Sequence, residues 1–128
     1  MAYDYDPQNV FARILRGEIP NETVLETEHS LAFHDIRGQA PLHILVIPKG
    51  PYVNFDHFAA EASAEEIVDF NKAVARVTAE LGVTPGEGGA GYRLIANSGD
   101  NSHQEVPHMH FHILGGRPLG RLLVAPAD

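Results

Sequence analysis

Three histidines alternate with two apolar residues near the end of the chain, in the run His108-Met109-His110-Phe111-His112. Side chains alternate between the two faces of a β-strand, so a strand here would place the three imidazoles on one face. A neutral imidazole is a nucleophile near neutral pH, and neighbouring imidazoles can hold its tautomer and transfer protons. The run therefore predicts nucleophilic catalysis with acid–base assistance.

Two other interpretations of the run stay open. Imidazole is a common metal ligand, but His108 and His112 would lie roughly 13 Å apart along a strand, so all three could not reach one ion. A catalytic metal would need two of them with His43 or Glu105, and Asp100 is the other nearby carboxylate. The plainest alternative is the solvent-facing side of an amphipathic strand. We expect neither a metal nor another cofactor, so a chelator should leave the activity intact.

Hydrophobic periodicity predicts the elements that position this run. Asn9 caps a short helix that ends at Gly17, and Ser63 with Glu66 forms a capping box for a long helix over residues 63–81. Short β-prone segments cover residues 23–25, 30–36, 43–47, 92–96 and 108–114. The fold class is therefore α+β, an antiparallel sheet of about five strands with one short N-terminal and one long central helix.

Composition limits the class of protein. The 128 residues, 44% hydrophobic and 20% charged, are typical of one globular domain, here predicted to span residues 1–128. A net charge of −8 argues against a nucleic-acid partner. The absence of cysteine, of a long apolar stretch and of a signal-like start predicts a cytoplasmic protein with no membrane partner. The glycine-rich segment 85–90 lacks the lysine of a phosphate-binding loop and is predicted to be a flexible connector.

Several ordered segments resemble the histidine triad (HIT) family, in particular its Hint branch. The run HMHFHIL at residues 108–114 matches the triad signature. Upstream, Asn97, Gly99, Gln104 and Val106 stand where that family carries its residues before the triad. Further matching segments are FARILRGEIP (11–20), AFHDI (32–36), QAPLHILVIPK (39–49) and LGGR (114–117). The resemblance covers roughly residues 9–117 and leaves 118–128 as a C-terminal tail.

The resemblance implies a HIT-like α+β homodimer that cleaves a bond at the α-phosphorus of purine nucleotide derivatives. Members of the Hint branch are purine nucleoside phosphoramidases, which release AMP or GMP from P–N linked groups. Carried over onto this chain, His110 attacks phosphorus and forms a nucleotidyl-histidine that water hydrolyses. His112 and His43 bind phosphate oxygens or transfer protons, and His108 orients the row.

The resemblance also implies which residues hold the nucleotide. Asn97 and Gln104 would lie beside the phosphate, and Asp35 would accept hydrogen bonds from the ribose hydroxyls. Five apolar residues would surround the base: Phe11, Ile14, Ile19, Phe33 and Ile36. Apolar residues of this kind belong equally often to a plain core.

Two alternatives to a phosphoramidase are a dinucleoside polyphosphate hydrolase and a non-catalytic nucleotide-binding or scaffold protein. The segments 17–20 and 115–117 favour the Hint branch. The chain departs from that branch at Glu105, where animal members usually carry a small hydroxyl residue, and strand parity predicts that this carboxylate points away from the histidine row. His29, His57 and His103 match no motif and are predicted to lie on the surface.

Overall fold

A computed structural model describes residues 3–124, so the first two residues and the last four of the tail lie outside the described residues. The strands are β1 (Thr23–Glu26), β2 (Ser30–His34), β3 (Leu42–Pro48), β4 (Tyr92–Ala96) and β5 (Phe111–Gly115). They form one antiparallel sheet in the order β1-β2-β3-β5-β4. The α+β class and the five-stranded antiparallel sheet are confirmed.

Within residues 3–124, three α-helices accompany the sheet: α1 (Val10–Leu15), α2 (Phe55–Glu61) and α3 (Ala64–Glu80). The side chain of Asn9 caps α1, and the capping box of Ser63 and Glu66 begins α3, as the sequence predicts. Within residues 3–124, no helix has the length and apolar character needed to cross a membrane.

The larger core lies between α3 and one face of the sheet. Buried residues of α3 and β3 pack there with Met109 and Ile113, and Phe111 packs against the same cluster. The apolar residues of the histidine run thus lie beneath the long helix, as their alternation predicts.

A smaller core lies on the opposite face of the sheet and adjoins the histidines. Phe11 of α1 packs there with Leu31 and Phe33 of β2 and with Leu45 and Ile47 of β3. Alternation along β3 sends Leu45 and Ile47 to this face, whereas the residues between them face α3. Helix α1 therefore covers part of the sheet face to which the alternating histidines belong.

The sequence predicts that the last strand begins at His108, but β5 begins at Phe111. The backbone N–H of Met109 donates to the carbonyl of Tyr52 at 2.7 Å, so this part of the run bonds to a loop instead of to a neighbouring strand. Strand β2 also ends early, at His34 rather than at residue 36.

Helix α2 and the segment 85–90 differ from the sequence predictions as well. Helix α2 has seven residues, too few to show a helical period, although its cap Asn54 accepts from the backbone N–H of His57. The segment predicted to be a flexible connector contains a 3-10 turn at Pro85–Glu87, and its Gly89 N–H donates to the carbonyl of Thr84 at 2.9 Å.

Candidate active site

Sheet register brings three of the expected site residues together. His112 pairs with Leu45 and His43 pairs with Leu114, so the two histidines are diagonal neighbours on adjacent strands. Asp35 follows β2 directly, and its N–H donates to the carbonyl of His43 at 3.0 Å. Their side chains therefore converge, although they come from distant parts of the sequence.

His108 is fully buried and both of its ring nitrogens are bonded. Nε2 lies 2.8 Å from the carbonyl oxygen of Pro48, and Nδ1 lies 2.6 Å from the hydroxyl of Tyr5. A carbonyl oxygen only accepts, so Nε2 carries the proton and Nδ1 accepts from the tyrosine O–H. His108 has no ring atom available to attack a substrate, and its burial argues against the alternative that the run is the solvent-facing side of an amphipathic strand.

His110 has one bonded nitrogen and one that is available. Its Nδ1 lies 2.7 Å from the backbone carbonyl of His108, so Nδ1 carries the proton. Within residues 3–124, Nε2 has no hydrogen-bond partner and is not enclosed. The ring packs edge-on against Phe11, with centroids 5.0 Å apart, and the residue is 8% exposed. This geometry presents a lone pair on Nε2, the atom that a nucleophilic histidine needs.

His43 and His112 form a chain of hydrogen bonds with one set of proton positions. The backbone N–H of Gln39 donates to Nδ1 of His43 at 3.0 Å, so the proton of that neutral ring is on Nε2. That Nε2–H donates to Nδ1 of His112 at 2.9 Å. The remaining nitrogen of His112, Nε2, therefore carries a proton and can donate it. His112 lies next to His110, with ring centroids 5.0 Å apart.

Burial keeps all four imidazoles neutral near pH 7. It lowers the pKa of His108 to about 4 and, with repulsion from neighbouring imidazoles, that of His112 to about 4 as well. Burial also lowers the pKa of His43 and of His110. A neutral ring at position 110 retains its nucleophilic lone pair across the physiological range.

Among residues 3–124, the carboxylate and imidazole group whose ligand atoms lie within 4.8 Å of one another is Asp35, His43 and His112. A metal at this cluster would need the lone pair of Nε2 of His43. The Gln39 N–H occupies Nδ1 of the same ring and holds the proton on Nε2, so a neutral His43 cannot bind an ion there without losing that bond. Asp100 and Glu105, the carboxylates considered for a metal, are not part of the cluster.

The polar residues expected around the nucleotide lie in different settings. Asp35 accepts from the N–H of Arg37 through Oδ1 at 2.8 Å, and its Oδ2 lies 3.5 Å from Nε2 of His43. Asn97 follows β4 directly, one residue beyond the last β4–β5 pair, which joins Ala96 to Phe111. Gln104 accepts from the N–H of Gly99 and donates to two backbone carbonyls, so here its amide organises the loop between β4 and β5. Its contact with phosphate stays a prediction.

The five residues expected around the base are not equally accessible. Phe11 and Phe33 are buried in the smaller core, with ring centroids 5.6 Å apart. Ile14 and Ile19 are partly exposed, and Ile36 is 93% exposed. The accessible members, rather than the two phenylalanines, are the ones that a base could contact.

A model of the HIT domain family matches residues 16–119. The chain belongs to the HIT domain family. A HIT-like protein of Azospirillum brasilense is 55% identical over 123 residues, which are 96% of this chain and 98% of that one. The purine nucleoside phosphoramidase of Escherichia coli is 41% identical over 118 residues, 91% of this chain and 93% of that enzyme. A HIT family hydrolase structure from Clostridium thermocellum superimposes with a TM-score of 0.77 at 35% identity, covering 91% of this chain and 97% of that one.

The sequence does not predict two hydrogen bonds that orient the histidines of this HIT protein. Tyr5 bonds to His108, and the Gln39 backbone bonds to His43. A tyrosine 103 positions away in the chain gives no local signal of that contact. A backbone donor is present in every residue except proline, so nothing in the side chain of Gln39 marks it.

The histidines outside the triad of this HIT protein differ in exposure. His57, predicted to lie on the surface, is buried on α2 between the rings of Tyr3 and Tyr52 and accepts from a backbone N–H through Nδ1. His103 is exposed and pairs with the exposed Glu105 at 3.0 Å, which is consistent with a carboxylate that points to solvent. His29 is partly exposed.

Proposed function

We propose that this HIT protein is a hydrolase of the purine nucleoside phosphoramidase type, releasing AMP or GMP from P–N linked substrates. The observation that carries the proposal is the fixed tautomer of His110, whose Nδ1–H donates to the carbonyl of His108 and leaves the lone pair on Nε2. The 41% identity to the phosphoramidase of Escherichia coli supports the choice of substrate class.

In the first step, Nε2 of His110 attacks the α-phosphorus. The new N–P bond forms as the bond from phosphorus to the leaving amine breaks, and the amine departs with that electron pair. A proton from solvent is taken up by the leaving nitrogen, so the amine departs neutral, while Nε2–H of His112 donates a hydrogen bond to a phosphate oxygen. The product is an amine and a nucleotidyl-histidine.

In the second step, water attacks phosphorus and the N–P bond breaks, returning the electron pair to Nε2 of His110. The proton lost by water passes to solvent, so the imidazoles regain the neutral tautomers in which they began. Asp35 holds the ribose, Asn97 and Gln104 lie by the phosphate, and the base lies against the apolar residues near α1. No step requires a metal or another cofactor.

We also propose that the protein acts in the cytoplasm as a homodimer. Strand β4 is at one edge of the sheet, and its Tyr92 and Leu94 are 42% and 44% exposed. An edge strand offers unpaired backbone groups to a second copy of the chain.

The decisive experiment measures AMP release from adenosine 5′-phosphoramidate in EDTA by the wild type, His110→Ala and His103→Ala. We expect the wild type and His103→Ala to be active, because His103 is exposed and outside the triad. His110→Ala should lose about a thousandfold or more while still binding AMP in calorimetry, because only the nucleophile is removed.

The other outcomes separate the alternatives. Loss of wild-type activity in EDTA would indicate a metal. Cleavage of a dinucleoside polyphosphate without phosphoramidase activity would indicate the polyphosphate hydrolase. AMP binding by an inactive wild type would indicate a nucleotide-binding protein.

A further inference from the structure

The segment before α1 reaches the catalytic histidines through Tyr5. Its hydroxyl lies 2.6 Å from Nδ1 of His108, and the two rings meet edge-on with centroids 5.6 Å apart. Tyr5 is partly buried, and burial raises the pKa of its hydroxyl, so it remains a protonated donor.

Two hydrogen bonds connect Tyr5 to the nucleophile through His108. His108 is clamped between two partners, because its Nε2–H donates to the carbonyl of Pro48 while its Nδ1 accepts from Tyr5. The backbone carbonyl of the same residue accepts from Nδ1–H of His110. The placement of His108 thus sets the direction of the bond that holds the lone pair of His110 on Nε2.

The segment is fixed on both sides of Tyr5. On one side, the hydroxyl of Tyr3 donates to Asp56 at 2.6 Å and accepts from the amide of Asn54 at 2.9 Å. On the other side, the side chain of Asn9 donates to the carbonyl of Asp6 at 2.8 Å. Tyr5 is therefore held by an anchored segment rather than by a loose terminus.

We propose that Tyr5 is a positioning residue of the active site, whose hydroxyl fixes the ring of His108 and thereby the orientation of the nucleophile His110. The inference rests on the proposed function for its kinetic consequence, because Tyr5 itself contacts no reacting atom. It adds to the HIT triad a residue from outside the matched family region, which begins at residue 16.

The test compares Tyr5→Phe with Tyr3→Phe, two variants that each remove one hydroxyl from the same segment. We expect Tyr5→Phe to lower kcat for AMP release about three- to tenfold with KM within about twofold of the wild type, which corresponds to one lost hydrogen bond. Tyr3→Phe should leave kcat within about twofold. In ¹⁵N NMR of the imidazoles, the Nδ1 resonance of His108 should shift in Tyr5→Phe and stay in place in Tyr3→Phe.

The NMR measurement needs no turnover, so it tests the contact even if the wild type proves to be no phosphoramidase. An unshifted Nδ1 resonance in Tyr5→Phe would overturn the contact. A shifted resonance with an unchanged kcat, or equal losses of kcat in the two variants, would overturn the positioning role while leaving the proposed function intact. Thermal unfolding of both variants shows at which temperatures they are folded, and kcat is measured at those temperatures.

Discussion

At the scale of single residues, three of the four imidazoles of the site are bonded to a backbone group that can only accept or only donate, and His112 takes its tautomer from His43. Carbonyl oxygens fix the protons of His108 and His110, and the backbone N–H of Gln39 fixes that of His43. The tautomers are therefore set by the backbone before a substrate arrives. Burial then keeps the rings neutral, so that the nucleophile and the donor have different proton positions without a charge on either.

The burial of His108 predicts a loss of stability in mild acid. Its pKa is about 4 in the folded protein and about 6.5 in the unfolded chain, so between these values the unfolded chain binds the proton more tightly. The contribution of the neutral His108 to the free energy of unfolding is therefore complete above pH 6.5 and is lost as the pH falls towards 4. Between pH 7 and pH 5 we expect His108 alone to lower the free energy of unfolding by about 2 kcal/mol.

Urea unfolding of the wild type and of His108→Gln at both pH values measures this contribution. Glutamine has a similar size and an amide that can donate to the carbonyl of Pro48, but it does not titrate. Carboxylates contribute equally to both proteins, so the fall in stability from pH 7 to pH 5 should be about 2 kcal/mol smaller in His108→Gln. Equal falls would show that burial of His108 has no such effect.

At the scale of elements, the sequence predicts the site wherever a short pattern determines it. Alternation assigns Met109 and Ile113 to the face beneath α3, and the residues at Asn9 and Ser63 mark helix starts that the structure contains. The contact of His43 with His112 could be expected only from the family resemblance, because it depends on the register of β3 against β5.

The features that the sequence does not predict depend on distant contacts. Helix α2 is short and is held by its Asn54 cap and by the burial of His57 and Phe58, so local periodicity gives little signal. Strand β5 begins later than predicted because the backbone N–H of Met109 bonds to the carbonyl of Tyr52 in a loop instead of to a neighbouring strand. Tertiary partners decide such features, whereas propensity acts only within a few residues.

The end of β5 is held closely against the start of β3, which predicts a sensitive glycine. Gly116 has φ of +92°, and a Cβ there would lie 2.9 Å from Cβ of Pro41 and 3.4 Å from the backbone N of Leu42. Gly116→Ala should therefore lower the free energy of unfolding by about 2–3 kcal/mol, through backbone strain and steric overlap together.

Gly17→Ala is the matched control, because Gly17 also has a positive φ, of +78°, but its added Cβ would meet no atom of residues 3–124 within 4 Å apart from Gly17 itself and its two chain neighbours. It should cost about 1 kcal/mol, the backbone term alone. Chemical unfolding measures both variants. A cost for Gly116→Ala no larger than that for Gly17→Ala would show that the β3 and β5 ends can separate without penalty.

At the scale of the whole molecule, a net charge of −8 opposes the association of two copies of the chain. Two copies repel each other at long range, so a homodimer needs a contact dominated by backbone pairing and apolar side chains. Strand β4 offers both at the sheet edge, with Tyr92 and Leu94 exposed. Val10, which is 39% exposed, lies on α1, and α1 packs over β2 and β3 rather than over this edge.

Leu94→Glu should therefore shift the protein from dimer to monomer in analytical ultracentrifugation, because it places two further negative charges against each other at the interface and removes apolar surface. Val10→Glu adds the same charge on α1 and should leave the dimer intact. Raising the salt concentration screens the charges and should partly restore the Leu94→Glu dimer, but it cannot replace the lost apolar contact. A monomeric wild type, or equal dissociation by both variants, would contradict pairing through β4.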